Sequence, residues 1–116
     1  MANGKIKGAF VFRNDGDGCL AAKYLEHNES DPFPESCKKI SNDEDTPGDF
    51  FTGTFNTSWL EAPSISGERA KLSITCIKNT NVYDLKWNAI EVNSSLSYRG
   101  KAMLYDGLLI GSYWIN

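Results

Sequence analysis

The pair Asp106-Gly107, which lies between two runs of alternating apolar residues, constrains the fold of this chain more than any other feature. An Asp-Gly pair in such a setting is the strongest short-range signal for a two-residue hairpin turn. Because side chains alternate between the two faces of a strand, a turn of known length decides which residues face each other. The facing pairs predicted on one largely apolar face are Gly100 with Tyr113, Ala102 with Gly111, and Leu104 with Leu109.

Three further connections extend the same face through the second half of the chain. They are a turn at Asn93-Ser94, a turn at Asn79-Thr80 and a loop over residues 62–67. The facing pairs that they predict include Trp87 with Gly100, Leu72 with Trp87, Cys76 with Tyr83, and Phe55 with Ile74. Since a wrong register would mix apolar and polar side chains, the agreement of the four connections predicts a meander of five antiparallel strands.

The stretch FRNDGDGCLA, residues 12–21, has the composition of a metal-binding loop and also of a hairpin connection. As a calcium loop that begins at Asp15, it would place Leu20 where glycine is required, which excludes this interpretation. A five-residue loop, Asn14 to Gly18, instead brings apolar residues onto one face. The pairs that this loop predicts are Phe12 with Leu20, Phe10 with Ala22, and Gly8 with Tyr24. The stretch therefore predicts a loop at a barrel rim.

The remaining segments are short runs of aromatic and β-branched residues bounded by Asn, Asp, Gly and Ser, without helical periodicity. Two segments, 27–36 and 41–49, contain proline and are expected to be exposed connections. A length of 116 residues indicates a single domain over residues 1–116. Because sequential antiparallel strands curl as they twist, we predict an all-β fold, an up-and-down antiparallel meander that closes into a barrel of about eight strands.

Composition argues against several classes of protein. The net charge is −3 and the lysines are scattered, whereas a nucleic-acid interface needs a basic stripe. No window of about 20 apolar residues could span a bilayer as a helix. The three cysteines, Cys19, Cys37 and Cys76, show no Cys-x-x-Cys spacing, so we predict neither a metal nor a cofactor. The opening MANGKIKGAF lacks the apolar core of a signal peptide, so we expect a cytoplasmic protein unless a signal was removed beforehand.

Three sequence motifs in the meander resemble those of a known class of small barrels. They are the strand GTFNTSW (53–59) and the strands YDLKW (83–87) and YRGKAMLYDG (98–107), with aromatic residues paired around Gly100. Together with the meander itself, they resemble the small calycin barrels, the avidins and lipocalins, over most of the chain. The resemblance is one of architecture, and it implies that a small, partly apolar molecule binds in the mouth of the barrel.

Aromatic residues on the predicted inner face are the candidate ligand contacts. A glycine between two large rings would leave a slot floored by backbone, and aromatic walls suit a flat or apolar ligand. The alternative is that the rings lean over the glycine and belong to the core. The candidate ligand-binding residues are Trp87, Gly100, Tyr113, Tyr83, Tyr98 and Trp59.

No catalytic residue is predicted. His27, the only histidine, lies in a polar, proline-flanked segment where we expect a solvated side chain. Glu61, Arg13 and Asp84 are candidates for hydrogen bonds at the rim. Cys76 is predicted to face inward, where a thiol acts as a small hydrophobic group.

Two surface features add hypotheses about the environment and partners of the protein. Cys19 and Cys37 are predicted at outward positions in neighbouring parts of the chain, so they could form a disulfide outside the cytoplasm. The last strand is apolar on both faces. Its outward residues form an apolar patch with a neighbour on the preceding strand, and the members of the patch are Met103, Leu108, Ile110 and Trp114. We interpret this patch either as a homo-oligomer interface or as a surface covered by the long segment 27–49.

Three functions remain open at this point. The first is a non-catalytic binding protein that holds a small hydrophobic or aromatic ligand in a calycin-like barrel. The second is a structural or interaction module whose barrel is filled by its own side chains and which acts through the outer patch. The third is a barrel isomerase or cyclase that guides its reaction by shape. A ligand-sized cavity distinguishes the first and third from the second, and a carboxylate or tyrosine hydroxyl in it favours the third.

Overall fold

Eight antiparallel strands form a closed barrel in the computed structural model of the chain, which describes residues 6–40, 50–60, 67–89 and 97–115. The strands are β1 (Ile6–Gly16), β2 (Cys19–Glu26), β3 (Phe33–Lys39), β4 (Gly53–Leu60), β5 (Gly67–Cys76), β6 (Val82–Ala89), β7 (Ser97–Tyr105) and β8 (Leu108–Ile115). Each strand pairs with the next, and β8 pairs with β1 to close the ring. The predicted all-β, up-and-down antiparallel barrel is confirmed. Within the described ranges, no helix is long and apolar enough to cross a membrane.

The hairpin turn at Asp106-Gly107 forms as the sequence predicts. Both residues have positive φ, 55° and 79°, which a two-residue turn between twisted strands requires. The predicted register around Asn79-Thr80 is also confirmed. The pairs that form in these two hairpins include Gly100 with Tyr113, Ala102 with Gly111, Leu104 with Leu109, Cys76 with Tyr83, and Leu72 with Trp87.

Three other registers differ from the expected ones by two residues. The observed pairs are Trp87 with Tyr98, Phe55 with Leu72, and Phe12 with Ala22. In the first hairpin the five-residue loop is wrong, because the turn lies at Asp17-Gly18 and β1 has a bulge between Asn14 and Gly16. Residues 61–66 and 90–96, which include Asn93-Ser94, lie outside the described residues. Because side chains alternate with a period of two, each shift leaves the side chains on their expected face.

Large apolar side chains fill the middle of the barrel. The largest fully buried side chains are Phe12, Phe55, Leu72, Ile74, Leu85 and Leu109. An eight-stranded barrel is just wide enough for its own side chains or for one small ligand. At the base, the end that carries the turns Asp17-Gly18 and Asp106-Gly107, the ring of Phe51 packs against Tyr83 with centroids 6.4 Å apart. The opposite end, where β1 begins and β8 ends, is the mouth.

The apolar patch lies on the outer face of the barrel, as predicted. Its members are Met103 on β7 and Leu108, Ile110 and Trp114 on β8. Met103 is 56% exposed and pairs with Ile110. Leu109 and Tyr113 are buried, so the alternation of side chains directs the β8 members of the patch outward. Association of copies through this patch stays a prediction.

The cysteines do not lie as the disulfide hypothesis requires. Cys37 is 3% exposed and faces Leu20 across the β2–β3 pair, so it points into the barrel. Cys19 precedes Leu20 and therefore points outward. The outward position predicted for Cys37 is wrong, because β3 takes a register that buries it. All three cysteines are free thiols in the structure.

Candidate functional site

An open pocket lies at the mouth of the barrel. Its volume is about 30 Å³, which is room for about two water molecules. It therefore has room for a small chemical group rather than for a whole large molecule. The residues that line it are Lys7, Phe10, Tyr24, Glu26, Glu35, Trp59, Trp87, Tyr98 and Tyr113.

Three pairs of neighbouring aromatic rings in the pocket stand nearly perpendicular to each other. The Trp59 and Tyr98 rings have centroids 6.3 Å apart and an interplanar angle of 72°. The ring of Tyr113 stands at 83° to Tyr98 and at 84° to Tyr24, with centroids 5.9 and 6.1 Å apart. The two rings of such an edge-to-face pair stabilise each other by more than the burial of their contact area alone provides. The rings thus form the fixed walls of a small box.

Four of the six predicted ligand contacts meet in this pocket, namely Trp59, Trp87, Tyr98 and Tyr113. They come from four strands, β4, β6, β7 and β8. Tyr83 does not join them, because it lies in the packed base. Gly100 is not part of the lining either. A Cβ atom at Gly100 would lie 2.9 Å from the Trp87 ring and 3.1 Å from the Phe10 ring, so these rings occupy the space that the sequence predicts as a slot.

Glu35 is the functional candidate that sequence reasoning missed. Its side chain is buried, with 5% of its surface exposed, although segment 27–36 was expected to be an exposed connection. That expectation is wrong for residues 33–36, which belong to β3. The signal that could have found it is the alternation of Glu35 with Cys37, since the register of β2 and β3 directs both side chains inward.

The Glu35 carboxyl is held by hydrogen bonds from neutral groups. Its Oε2 accepts hydrogen bonds from the Thr57 hydroxyl at 2.5 Å and from the Trp87 indole N–H at 2.9 Å. The Cys37 thiol lies 3.9 Å from the same oxygen. Burial raises the pKa of Glu35 above its ordinary value, although these hydrogen bonds favour the ionised form. The carboxyl is therefore oriented in the pocket and is harder to ionise than an exposed one.

The Tyr113 hydroxyl is the one buried side-chain polar atom without a hydrogen-bond partner within the described part of the chain. The ring packs closely over Gly8, where an added Cβ atom would lie 2.9 Å from the hydroxyl oxygen. Burial raises the pKa of Tyr113, and the nearby Glu26 carboxylate raises it further. The group is a neutral phenol whose hydrogen-bonding capacity is unused within the described part of the chain.

An ion pair completes the rim of the pocket. The Lys7 ammonium lies 3.1 Å from the Glu26 carboxylate, and each side chain is about one third exposed. Exposed pairs of this kind contribute about 0–1 kcal/mol to stability. The two charges of this pair offset each other at the rim. Glu35 is then the one carboxyl residue of the described lining that is not in an ion pair.

The other residues singled out from the sequence lie away from the lining. His27 is exposed, and its backbone N–H donates to the Lys7 carbonyl oxygen. Arg13 is exposed and lies 3.4 Å from Asp15, and Asp84 is exposed on the outer face. Cys76 lies near the base, half-buried. Glu61 lies outside the described residues. Within the described residues, no group of three or more His, Cys, Asp or Glu side chains is placed to hold a metal ion.

The chemistry of the pocket is that of aromatic rings, one buried carboxyl and one buried phenol. No protein-family model, curated protein or solved structure matches this chain. Among the residues that the structure describes, the lining contains no serine, cysteine or histidine, so these residues offer no serine or cysteine nucleophile with an imidazole base. Cys37 lies behind Glu35, and burial raises the pKa of its thiol, which makes that thiol a poor nucleophile.

Replacement of Tyr113 by phenylalanine is expected to stabilise the ligand-free protein. A buried polar group without a partner costs about 1–3 kcal/mol, and Tyr113→Phe removes the hydroxyl while the ring keeps its contacts. We expect the free energy of unfolding in urea to rise by about 1 kcal/mol. Tyr105→Phe, at a tyrosine that is 67% exposed, is the control and should change nothing. A loss of stability in Tyr113→Phe would contradict this reading of the hydroxyl.

The contribution of Glu35 to the stability of the protein should fall as the pH rises above the ordinary pKa of a glutamate, 4.5. Because the folded state raises the pKa of Glu35, it retains a proton that the unfolded chain releases. This contribution to stability is complete below 4.5 and is lost as the pH rises through the folded-state pKa, by at most about 1.4 kcal/mol per pH unit.

Urea unfolding of the wild type and of Glu35→Gln at several pH values measures the effect. The amide cannot ionise, so the variant should gain stability relative to the wild type as the pH rises. Glu29→Gln removes an exposed carboxylate and should follow the wild type. Parallel curves for the wild type and Glu35→Gln would show that the carboxyl ionises as easily in the folded protein as in the unfolded chain.

Proposed function

We propose that the protein binds a small molecule whose head group enters the aromatic pocket at the mouth of the barrel. The observation that carries this proposal is the convergence of Trp59, Trp87, Tyr98 and Tyr113, from four strands, around one open pocket. A concave site with aromatic walls and few polar groups is the usual form of a small-molecule site. A closed eight-stranded meander with its opening at one end also supports the calycin-like reading of the chain.

The distribution of apolar side chains supports binding over a purely structural role for these rings. The middle of the barrel is already filled by residues such as Phe55 and Leu72, which are fully buried. Tyr98 is only partly buried, so its ring is accessible from the mouth. A core that needed no ligand would have no reason to leave space between such rings, because interiors are close-packed.

The size of the pocket limits the affinity that the head group alone provides. With a ceiling of about 1.5 kcal/mol per non-hydrogen atom, a head group of about two non-hydrogen atoms gains about 3 kcal/mol at most, a Kd of about 6 mM. Tighter binding requires contacts between the rest of the ligand and the rim. We therefore expect weak binding of small fragments and tighter binding of longer molecules that share the same head group.

A shape-guided isomerase or cyclase is the second candidate, because one observation favours it. A carboxyl (Glu35) and a phenol (Tyr113) both line the pocket, and such a pair could move a proton on a bound molecule. Native mass spectrometry of protein purified from its own host identifies a retained molecule. Incubation of the complex in D₂O then separates the candidates, since an isomerase exchanges carbon-bound hydrogen for deuterium and a binding protein does not.

The binding proposal is tested by two matched variants at the two ends of β7. Tyr98→Ser removes a ring of the pocket, and Tyr105→Ser removes an exposed ring at the base. Indole, benzyl alcohol and cyclohexanol serve as probes, and amide NMR shifts measure binding. We expect shifts at the mouth ends of the strands in the wild type, and Kd values raised about tenfold by Tyr98→Ser but unchanged in Tyr105→Ser. Shifts confined to the outer patch, or equal effects of the two variants, would contradict the proposal.

A further inference from the structure

The aromatic lining of the pocket is rich in rings that attract cations. It holds two tryptophans, Trp59 and Trp87, and three tyrosines, Tyr24, Tyr98 and Tyr113. The face of an aromatic ring carries partial negative charge, and tryptophan attracts a cation most strongly, followed by tyrosine. Walls that stand nearly perpendicular to each other enclose a small group from several sides. The walls therefore favour a positively charged head group over an anion of the same size.

The charged groups of the pocket also favour a cation. Its ionisable acids are Glu26 and Glu35, and its cation is Lys7. Lys7 is engaged by Glu26 at the rim, whereas the donors that contact Glu35 are neutral groups of Thr57, Trp87 and Cys37. A buried carboxylate is normally paired with a cation or loses its charge. In the described part of the chain, no such cation reaches Glu35.

The Tyr113 hydroxyl supplies a further acceptor. Its oxygen has lone pairs that can accept an N–H bond, and no protein group satisfies it in the described ranges. A carboxyl and a phenol oxygen in one aromatic box match a group that carries both positive charge and N–H donors. With about 30 Å³ available, a primary or singly methylated amine fits better than a bulky quaternary ammonium.

We propose that the ligand of this pocket is a protonated amine, whose N–H groups donate to Glu35 and Tyr113 and whose neighbouring methylene groups lie against the aromatic rings. This inference rests on the proposed function, because it assigns the chemical class of the molecule that the pocket binds. It predicts discrimination by charge, which a purely apolar pocket does not show.

Binding of the amine is coupled to release of a proton. In the free protein the buried carboxyl of Glu35 tends to retain its proton, and in the complex the carboxylate faces the ammonium group. The carboxyl proton leaves to solvent, and no covalent bond forms. The titratable groups around Glu35 are Cys37 on β3, Lys7 on β1, Tyr24 and Glu26 on β2, Tyr98 on β7 and Tyr113 on β8.

The sign of the pH dependence follows from this coupling. While Glu35 is protonated in the free protein, the affinity for an ammonium ion rises by up to about tenfold per pH unit. A neutral ligand that accepts a hydrogen bond from the protonated carboxyl shows the opposite trend, because deprotonation removes the donor. An apolar ligand that touches only the rings shows neither trend.

Three probes of matched length test the inference on the full chain. They are butylammonium, 1-butanol and butyrate, titrated between about pH 5 and about pH 8, where butylammonium stays charged. We expect butylammonium to bind at least about tenfold more tightly than the other two. Its affinity should rise with pH, and calorimetry in two buffers of different ionisation enthalpy should count up to one proton released per amine bound.

Two glutamate variants complete the experiment. Glu35→Gln should weaken butylammonium binding at least about tenfold and remove its pH dependence. Glu29→Gln, which removes an exposed carboxylate from the connection after β2 at the mouth, should leave both unchanged. If Glu35→Gln does not fold, the pH slope and the proton count of the wild type decide the question.

Three results would overturn the inference. Equal or tighter binding of 1-butanol or butyrate, or a butylammonium affinity that neither rises with pH nor falls in Glu35→Gln, would refute the amine and leave the proposed function standing. Absence of binding by all three of these probes and by the neutral ring probes would refute both.

Discussion

Closure of the sheet between β1 and β8 is the constraint on which the rest of the structure depends. A closed ring leaves no strand edge unpaired, so the backbone is satisfied all the way round. Closure also makes one interior out of the inward side chains of eight strands, and eight strands enclose only a narrow space. What fills that space therefore decides whether the barrel has any function inside it.

The interior is divided along the barrel axis. Fully buried side chains such as Phe12, Phe55 and Leu109 pack the barrel from its middle to its base, and aromatic rings with polar ends surround the mouth. This division explains why a small pocket coexists with a packed core. It also accounts for two polar groups in the interior, the buried Glu35 carboxyl and the Tyr113 hydroxyl, which has no partner in the described ranges. Groups that are costly in the free protein are often retained where a ligand or a reaction uses them.

Most of the fold could be predicted from the alternation of side chains along the strands and from the positions of the turns. The residues of the pocket could be predicted only in part. Trp59, Trp87, Tyr98 and Tyr113 were predicted inward and meet at the mouth, because a register error of two residues does not change the face of a side chain. Tyr83 shares that face but lies at the opposite end of the barrel, because the face of a side chain does not fix how far along the axis it lies. Glu35 was missed because the prolines around it are typical of a loop, although a strand tolerates proline at positions that need no ladder bond.

The sequence by itself determined which side chains of the predicted hairpins face the interior, since a fixed turn such as Asp106-Gly107 and a period of two leave no other choice for an apolar face. It did not do so on β3, where Cys37 is buried although an outward position was expected. Only the tertiary structure decided which of those side chains meet. Lys7, Glu35 and Tyr113 lie on β1, β3 and β8, far apart in the chain, and local patterns carry no information about their distances. Ring closure and the exact stagger of the strands bring them to one mouth. Burial there, a property of the assembled barrel, turns an ordinary glutamate into a carboxyl that is hard to ionise.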